Sequence, residues 1–536
     1  MILMLPAAAG LLLASAAADP APVEERHVMI PMRDGVKLST YLFLPRNQGP
    51  GPWPVLYEQR YASVRSPAYR RNYARLAAAG YVVAAQNFRG THLSEGVFDG
   101  YRNLAWGDRR DGYDTVEWLA AQPWSTGRIG TFGGSQAGYA QNFLAVTRPP
   151  HLVAQYMTDT GLSLFHLGYR RGGTTRPRRF LSMLEHCQRP EDALRWLRDT
   201  FDHPTYDEYW QQEDCTRHFD KMNVPAFTLG SWFDFMNDGS VESYIGRQHR
   251  GGPGSRGRQQ LLIGPWLHGG PKGARVGDLT FPENAAFDYW AHMIRWFDYH
   301  LKGKATGVDR DPPVRYYVMG ENIWREARDW PPPSTPTPYY LEAGGGLSAR
   351  PPAAPEGATL FRSDPDSPAP IPGRAFPGAT DGRAYEQHPD VKSFTTPALT
   401  KPVEWSGKLK AELYLSSDAR DTDIIVRVND VHPDGRSILL LDGIFRTRYR
   451  EGFEKEVLLD PGVVVPLRFD LGWLSQVFPA GHRIRITVSS TGADLYEPNP
   501  NTGDPAVIGP PPRVFAATNS IHHNRRHASR IIAPVR

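Results

Sequence analysis

The chain has 536 residues, with 61 basic and 57 acidic side chains and a formal net charge of +4. That length predicts two to four domains and a core large enough to fold without disulfides or metal. Hydrophobic residues at 40% and charged residues at 22% exclude collagen-like, coiled-coil and wholly disordered chains, and the near balance of charge argues against a nucleic-acid partner.

Residues 1–18 form a short apolar run that ends in Ala-x-Ala before Asp19-Pro20. That is the shape of a secretory signal peptide, although no basic residue precedes it. No later stretch reaches the roughly 18–20 apolar residues of a transmembrane helix. The expectation is a secreted or periplasmic protein with no membrane segment after cleavage.

Val28–Leu44 alternates apolar and polar residues around Arg33-Asp34-Gly35 and predicts a β-hairpin. Pro54–Glu58, the unbroken apolar run Tyr81–Ala85 and Arg128–Phe132 predict strands, with helices at Tyr69–Ala79 and Asp111–Ala121 between them. Strand and helix in alternation imply an α/β fold with a parallel sheet. The rhythm resumes at Ala226–Leu229 and Gln260–Gly264, with a helix at Asn284–Leu301. The core is therefore expected over 19–150 and 222–330, interrupted by a helical cap at 151–221. A Pro-rich linker is expected over 331–375. From 376 to 536 the period-two stretches Lys408–Leu415, Asp423–Val431, Val463–Asp470 and His482–Ser489 predict a C-terminal β-sandwich.

The chemistry centres on Gly133-Gly134-Ser135-Gln136-Ala137-Gly138, which follows a predicted strand and opens a helix. This is a nucleophile elbow, in which Ser135 needs small neighbours and the Gln136 amide faces a developing oxyanion. A serine nucleophile needs a base, and the base an orienting acid. Asp234 follows the strand Ala226–Leu229, and His268 follows Leu261–Gly264. Both lie where ligands bind in parallel α/β sheets, beyond the C-terminal strand ends. Asp238 is the main competitor for the acid and His292 for the base.

These stretches, with Pro31–Val36, Arg89–Gly96, Trp232-Phe233-Asp234, Gly264–His268, Gly481–Ile486 and Asn499–Gly503, resemble the cocaine-esterase and Xaa-Pro dipeptidyl-peptidase group of serine hydrolases. The resemblance spans nearly the whole mature chain. It implies an α/β-hydrolase core, a helical cap and a C-terminal jelly roll of the galactose-binding-like type. It also implies Ser135 as nucleophile, Asp234 as acid and His268 as base, with no cofactor. The family's second oxyanion donor is a tyrosine after an early strand, and Tyr61 matches it better than Tyr57. The chain departs from the family at Gln136, where an aromatic residue is usual, and at Asn87, where many members carry Asp.

The expected activity is hydrolysis of ester or amide bonds in a small molecule or short peptide, through an acyl-enzyme. The alternatives are an Xaa-Pro exopeptidase, holding a free amine through cap acids such as Asp207, Glu208, Glu213 or Asp214, and a non-catalytic carbohydrate- or surface-binding protein. Arg89 and Glu95 read as loop scaffold. Arg170, Arg171 and the Arg-rich stretch 176–179 read as a solvated cap face. His522, His523 and His527 fit no zinc spacing. Cys187 and Cys215 both fall in the expected cap, and an oxidising compartment permits a bond between them.

Overall fold

Asp34-Gly35 makes the first turn. Gly35 adopts φ +83°, which costs glycine little, and Val23–Pro31 (β1) pairs antiparallel with Lys37–Pro45 (β2). The computed structural model describes residues 23–46, 48–371, 378–493 and 495–536; the expected signal peptide lies outside the described residues.

The core strands are Trp53–Arg60 (β3), Val82–Asn87 (β4), Ser125–Gly134 (β5), Leu152–Thr158 (β6), Ala226–Ser231 (β7), Gln259–Gly264 (β8), Val314–Val318 (β9) and Ile323–Ala327 (β10). They stand in the order β1-β2-β4-β3-β5-β6-β7-β8-β9-β10. Pairing is parallel from β4 through β9. Parallel strands are covered on both faces, and β4 is buried along its whole length. The covering helices include Pro67–Ala78 (α1), Asp111–Ala120 (α2) and Gln136–Thr147 (α3). Ser66 caps α1 by accepting from the Tyr69 N–H, with Pro67 in its first turn, a standard helix start.

The cap begins later than expected. Leu152–Thr158 is a central strand paired with β5 and β7, so the helical insertion follows it with Pro177–Leu184 (α4) and Pro190–Asp202 (α5). After β7 comes Asn237–Arg250 (α6). Tyr289–Lys302 (α7) starts later than the periodicity suggests, because the Asp288 carboxylate accepts from the Ala291 N–H at 3.0 Å and caps it there.

The C-terminal part is an 11-stranded array. Its long strand Val403–Ser417 pairs with Val465–Phe478, Ala517–His522 and Arg530–Val535. The expected linker is not one: Thr335–Glu342 is a strand paired with Arg530–Val535. Its prolines fit because Pro336 stands opposite Pro534, at a non-hydrogen-bonded pair where neither N–H is needed. One buried apolar cluster runs through both parts, joining Trp232, Phe233 and Val241 to Leu409, Leu471 and Trp473. Among the described residues no helix is long and apolar enough to cross a membrane.

The registers place Gly134 opposite Thr158, Thr158 opposite Leu229 and Gly264 opposite Ser231. The residues that follow β5, β6, β7 and β8 therefore line one edge of the sheet.

Candidate active site

The turn from β5 into α3 holds Ser135 at φ +57°, ψ −118°, an unusual conformation for a residue with a side chain. The surrounding backbone enforces it. The Ser135 N–H lies between the carbonyls of Thr158 (3.0 Å) and Asp159 (3.1 Å), and its own carbonyl accepts from Tyr139. Only small neighbours fit: a Cβ on Gly133 would come 2.9 Å from that of Ala137, and one on Gly134 would come 2.7 Å from the Thr158 carbonyl.

The loops after β7 and β8 are zipped together. The N–H groups of Trp232 and Phe233 donate to Gly264 and Trp266 at 2.9 and 3.1 Å, and the Trp232 indole donates to the Tyr317 carbonyl at 2.7 Å. This brings Asp234 Oδ1 to 3.0 Å from His268 Nδ1. A ring that donates from Nδ1 keeps Nε2 as its acceptor. The ring also stacks on Phe235, 5.2 Å between centroids. Burial opposes its charged form, but Asp234, and then Asp159, outweigh burial and raise its pKa above the ordinary histidine value.

Ser135 and His268 together line two cavities. One, of about 520 Å³, is bounded by Glu58, Arg60, Tyr69 and Trp290. The other, of about 260 Å³, lies under the cap and contains Tyr61 and Gln136. Tyr61 is buried, with its hydroxyl 3.3 Å from Ser182 Oγ. Gln136 explains its departure from an aromatic: its side-chain oxygen accepts from the Ala62 N–H at 2.8 Å. Asn87 donates to the Ala62 carbonyl, also at 2.8 Å, which a carboxylate could not do. Gln136 thus ties the Tyr61 loop to the elbow, and Asn87 ties it to the end of β4. Tyr57 points elsewhere, donating to Gln86 at 2.7 Å.

Asp159 is a site residue that the sequence reading missed. It follows β6, is fully buried, takes φ +45° and accepts from the Gly269 N–H at 2.6 Å. Burial, then the charge of Asp234, raises its pKa to about 8. Its signal was an acid at a strand end, visible only once Leu152–Thr158 is read as a strand.

The competing candidates serve the framework. Asp238 pairs with Arg171 at 3.2 Å and accepts from the Trp473 N–H at 3.1 Å. His292 Nδ1 lies 3.1 Å from the Tyr156 hydroxyl, and burial lowers its pKa to about 4. Arg89 bridges Asp34 and Asp111, each at 2.7 Å, and Glu95 accepts from the Lys37 N–H at 2.9 Å. His522 and His523 face the separate hydroxyls of Ser416 and Thr359, both at 2.9 Å. None of Asp207, Glu208, Glu213 and Asp214 lines either cavity; Glu213 instead accepts from the Tyr101 N–H at 2.9 Å.

Two expectations are corrected. Cys187 and Cys215 are unbonded, each held by its own backbone contact: Cys187 bridges to Thr91, while the Cys215 N–H donates to the Leu162 carbonyl at 2.8 Å. The arginine stretch is not a solvated face throughout: Arg178 is exposed, but Arg170 and Arg176 are only 3% and 4% exposed.

Two clusters among the described residues bring three potential metal-ligand atoms within 4.8 Å, Asp159–Asp234–His268 and Asp430–His432–His482. In each, one histidine Nδ1 is already bonded to a carboxylate, at 3.0 Å for His268 and 2.8 Å for His482.

A model of the X-Pro dipeptidyl-peptidase (S15) family matches residues 34–270, and a model of the X-Pro dipeptidyl-peptidase C-terminal non-catalytic domain matches 306–532. The chain is similar to cocaine esterase of Rhodococcus sp. (strain MB1 Bresler), 30% identical over 573 residues that cover 95% of this chain and 98% of that one. Among solved structures, an aminopeptidase from a marine sediment Thaumarchaeota archaeon matches at TM-score 0.84 and 25% identity, covering 96% of each chain. An α-amino acid ester hydrolase shares the fold, with TM-score 0.84 at 24% identity, over 98% of this chain and all of that one.

Proposed function

The chain belongs to the cocaine-esterase and X-Pro dipeptidyl-peptidase family of α/β serine hydrolases, and from that premise we propose that Ser135, His268 and Asp234 are its catalytic triad and that it acts on esters of small carboxylic acids. The observation that carries this is the 3.0 Å bond from His268 Nδ1 to Asp234, in a histidine that shares both cavities with the strained Ser135.

Ser135 Oγ forms a bond to the substrate carbonyl carbon while His268 Nε2 takes its proton. The same proton passes to the leaving oxygen as the C–O bond breaks and the alcohol departs. Water then attacks the acyl-enzyme, His268 again relays the proton, and the acid and free Ser135 are released. Asp234 holds the ring and stabilises its charged form. The Gln136 N–H and the Tyr61 hydroxyl donate to the oxyanion in both steps.

A fluorophosphonate probe, with mass mapping of the labelled peptide, tests the nucleophile; labelling at any residue other than Ser135 sinks the assignment. Tyr61→Phe is expected to lower kcat by about 10²–10³-fold, as loss of one oxyanion donor does, with KM changing much less. An equal rise in KM with kcat intact would make Tyr61 a substrate contact instead.

The ester reading is favoured over dipeptidyl release because none of the cap acids that would hold a free amine lines either cavity. A panel that sets Ala-Pro-p-nitroanilide against p-nitrophenyl acyl esters separates the two. Export of the mature chain is part of the same proposal, supported by the apolar residues 1–18 and their Ala-x-Ala ending.

A further inference from the structure

We infer that the cavity under the cap binds a carboxylate of the substrate, so that the enzyme prefers esters carrying an anionic group near the scissile bond. This rests on the serine-hydrolase reading above and names its substrate class.

The cavity opens on the reacting atoms, since Tyr61, Ser135, Gln136 and His268 line it together with Arg176, Arg179 and Phe235. The turn that starts α4 presents the arginines there. The Arg176 N–H donates to the Tyr169 carbonyl at 2.9 Å, and the Arg179 N–H donates to the Arg176 carbonyl at 3.0 Å. The Arg176 guanidinium lies over the Phe235 ring, 4.2 Å from its centroid, and that of Arg179 lies at 5.3 Å. Stacking fixes the guanidinium plane and leaves its N–H edge available to a planar acceptor.

Three of their nitrogens lack acceptors. Among the described residues, Arg176 Nε and Nη1 and Arg179 Nε are buried without a hydrogen-bond partner. Two comparably buried arginines elsewhere do meet carboxylates: Arg446 with Asp423 at 2.8 Å and Arg448 with Asp421 at 2.7 Å. The groups that most favour the Arg179 charge are Tyr61, Tyr101, Tyr139 and Tyr169, and near Arg176 they are Tyr496 and Asp442. A guanidinium removed from water without an acceptor is costly; burial lowers the Arg176 pKa to about 10. A substrate carboxylate supplies the missing acceptor in the bidentate geometry that guanidinium favours. The same cavity repels a substrate amine.

The test compares two pairs of esters. Mono-4-nitrophenyl adipate against 4-nitrophenyl hexanoate places the carboxylate on the acyl side. 4-Acetoxybenzoate against phenyl acetate places it on the leaving group. In one pair the anionic ester is expected to show at least tenfold higher kcat/KM, and Arg176→Gln should bring that ratio toward one. Which pair shows the preference locates the carboxylate. Equal or faster turnover of the neutral ester in both pairs overturns the inference while leaving the hydrolase reading standing. Failure of all four esters together with absent fluorophosphonate labelling overturns the hydrolase reading and the inference with it. Should Arg176→Gln not fold, the unsubstituted enzyme still decides: free adipate should inhibit hexanoate ester turnover competitively and at least tenfold more strongly than adipamide, and equal inhibition refutes the carboxylate site.

Discussion

Replacing Ser135 with alanine is expected to lower kcat for ester hydrolysis by about 10⁵–10⁶-fold, the scale on which loss of a triad nucleophile acts. The loss is chemical because the fold does not depend on the hydroxyl. The elbow is held by the Ser135 N–H, shared between the carbonyls of Thr158 and Asp159, and by the small residues around it. Alanine carries the same Cβ, so the strain at φ +57° is unchanged. The variant should therefore melt within a few degrees of the unsubstituted protein, while fluorophosphonate labelling disappears. Residual turnover reports the oxyanion donors and binding alone, which still accelerate hydrolysis over water. Turnover within tenfold of the original enzyme would exclude Ser135 as nucleophile.

Asp234→Asn is expected to lower kcat by about 10⁴-fold, because an amide at that position stabilises the wrong imidazole tautomer. The nearby Asp159 makes this test sharper. Both carboxylates and His268 lie within one cluster, and both follow central strands, so either could orient the ring by position alone. The geometry assigns the task to Asp234, which meets Nδ1 at 3.0 Å, while Asp159 is committed to the Gly269 N–H at 2.6 Å. Asp159→Asn keeps an acceptor for that N–H and should cost far less than Asp234→Asn; the reverse order would exchange their roles. A pH profile gives a second reading. His268 must be neutral to act as base, and its pKa is raised above the ordinary value, with Asp234 the largest force outweighing burial. Activity should therefore rise with pH through that raised pKa. In Asp234→Asn the support for the charged ring is gone, so the acid limb of the residual activity should move to lower pH.

What the sequence disclosed follows from how local each signal is. The elbow, the strand-end Asp234 and His268, and the strand Asp423–Val431 rest on contiguous patterns, and they stand in the structure where the patterns place them. Leu152–Thr158 was hidden because it follows α3 after only a short turn and leads straight into the cap. With the strand went Asp159, since an acid at a strand end means nothing until the strand is seen. Pro336 and Pro338 mimic a linker because sequence shows missing N–H groups but not which strand edge they face. Arg176 looks like part of a wetted surface, as its neighbour Arg178 is, because charge is visible in a sequence and burial is not. The ties from Gln136 and Asn87 to Ala62 join segments far apart in the chain, beyond the reach of periodicity.

The apolar cluster that joins Trp232 and Phe233 to the C-terminal strands gives the chain an indivisible character. The acid loop leans on a sheet that begins some hundred residues after it, so the catalytic half is not a cassette that recombination can lift out or pair with a foreign partner. Cut apart, either half would present its side of that shared cluster to water. The cap is bound into the same unit, since the Arg446 N–H donates to the Gly172 carbonyl at 2.8 Å and the Tyr206 N–H to the Phe453 carbonyl at 2.7 Å.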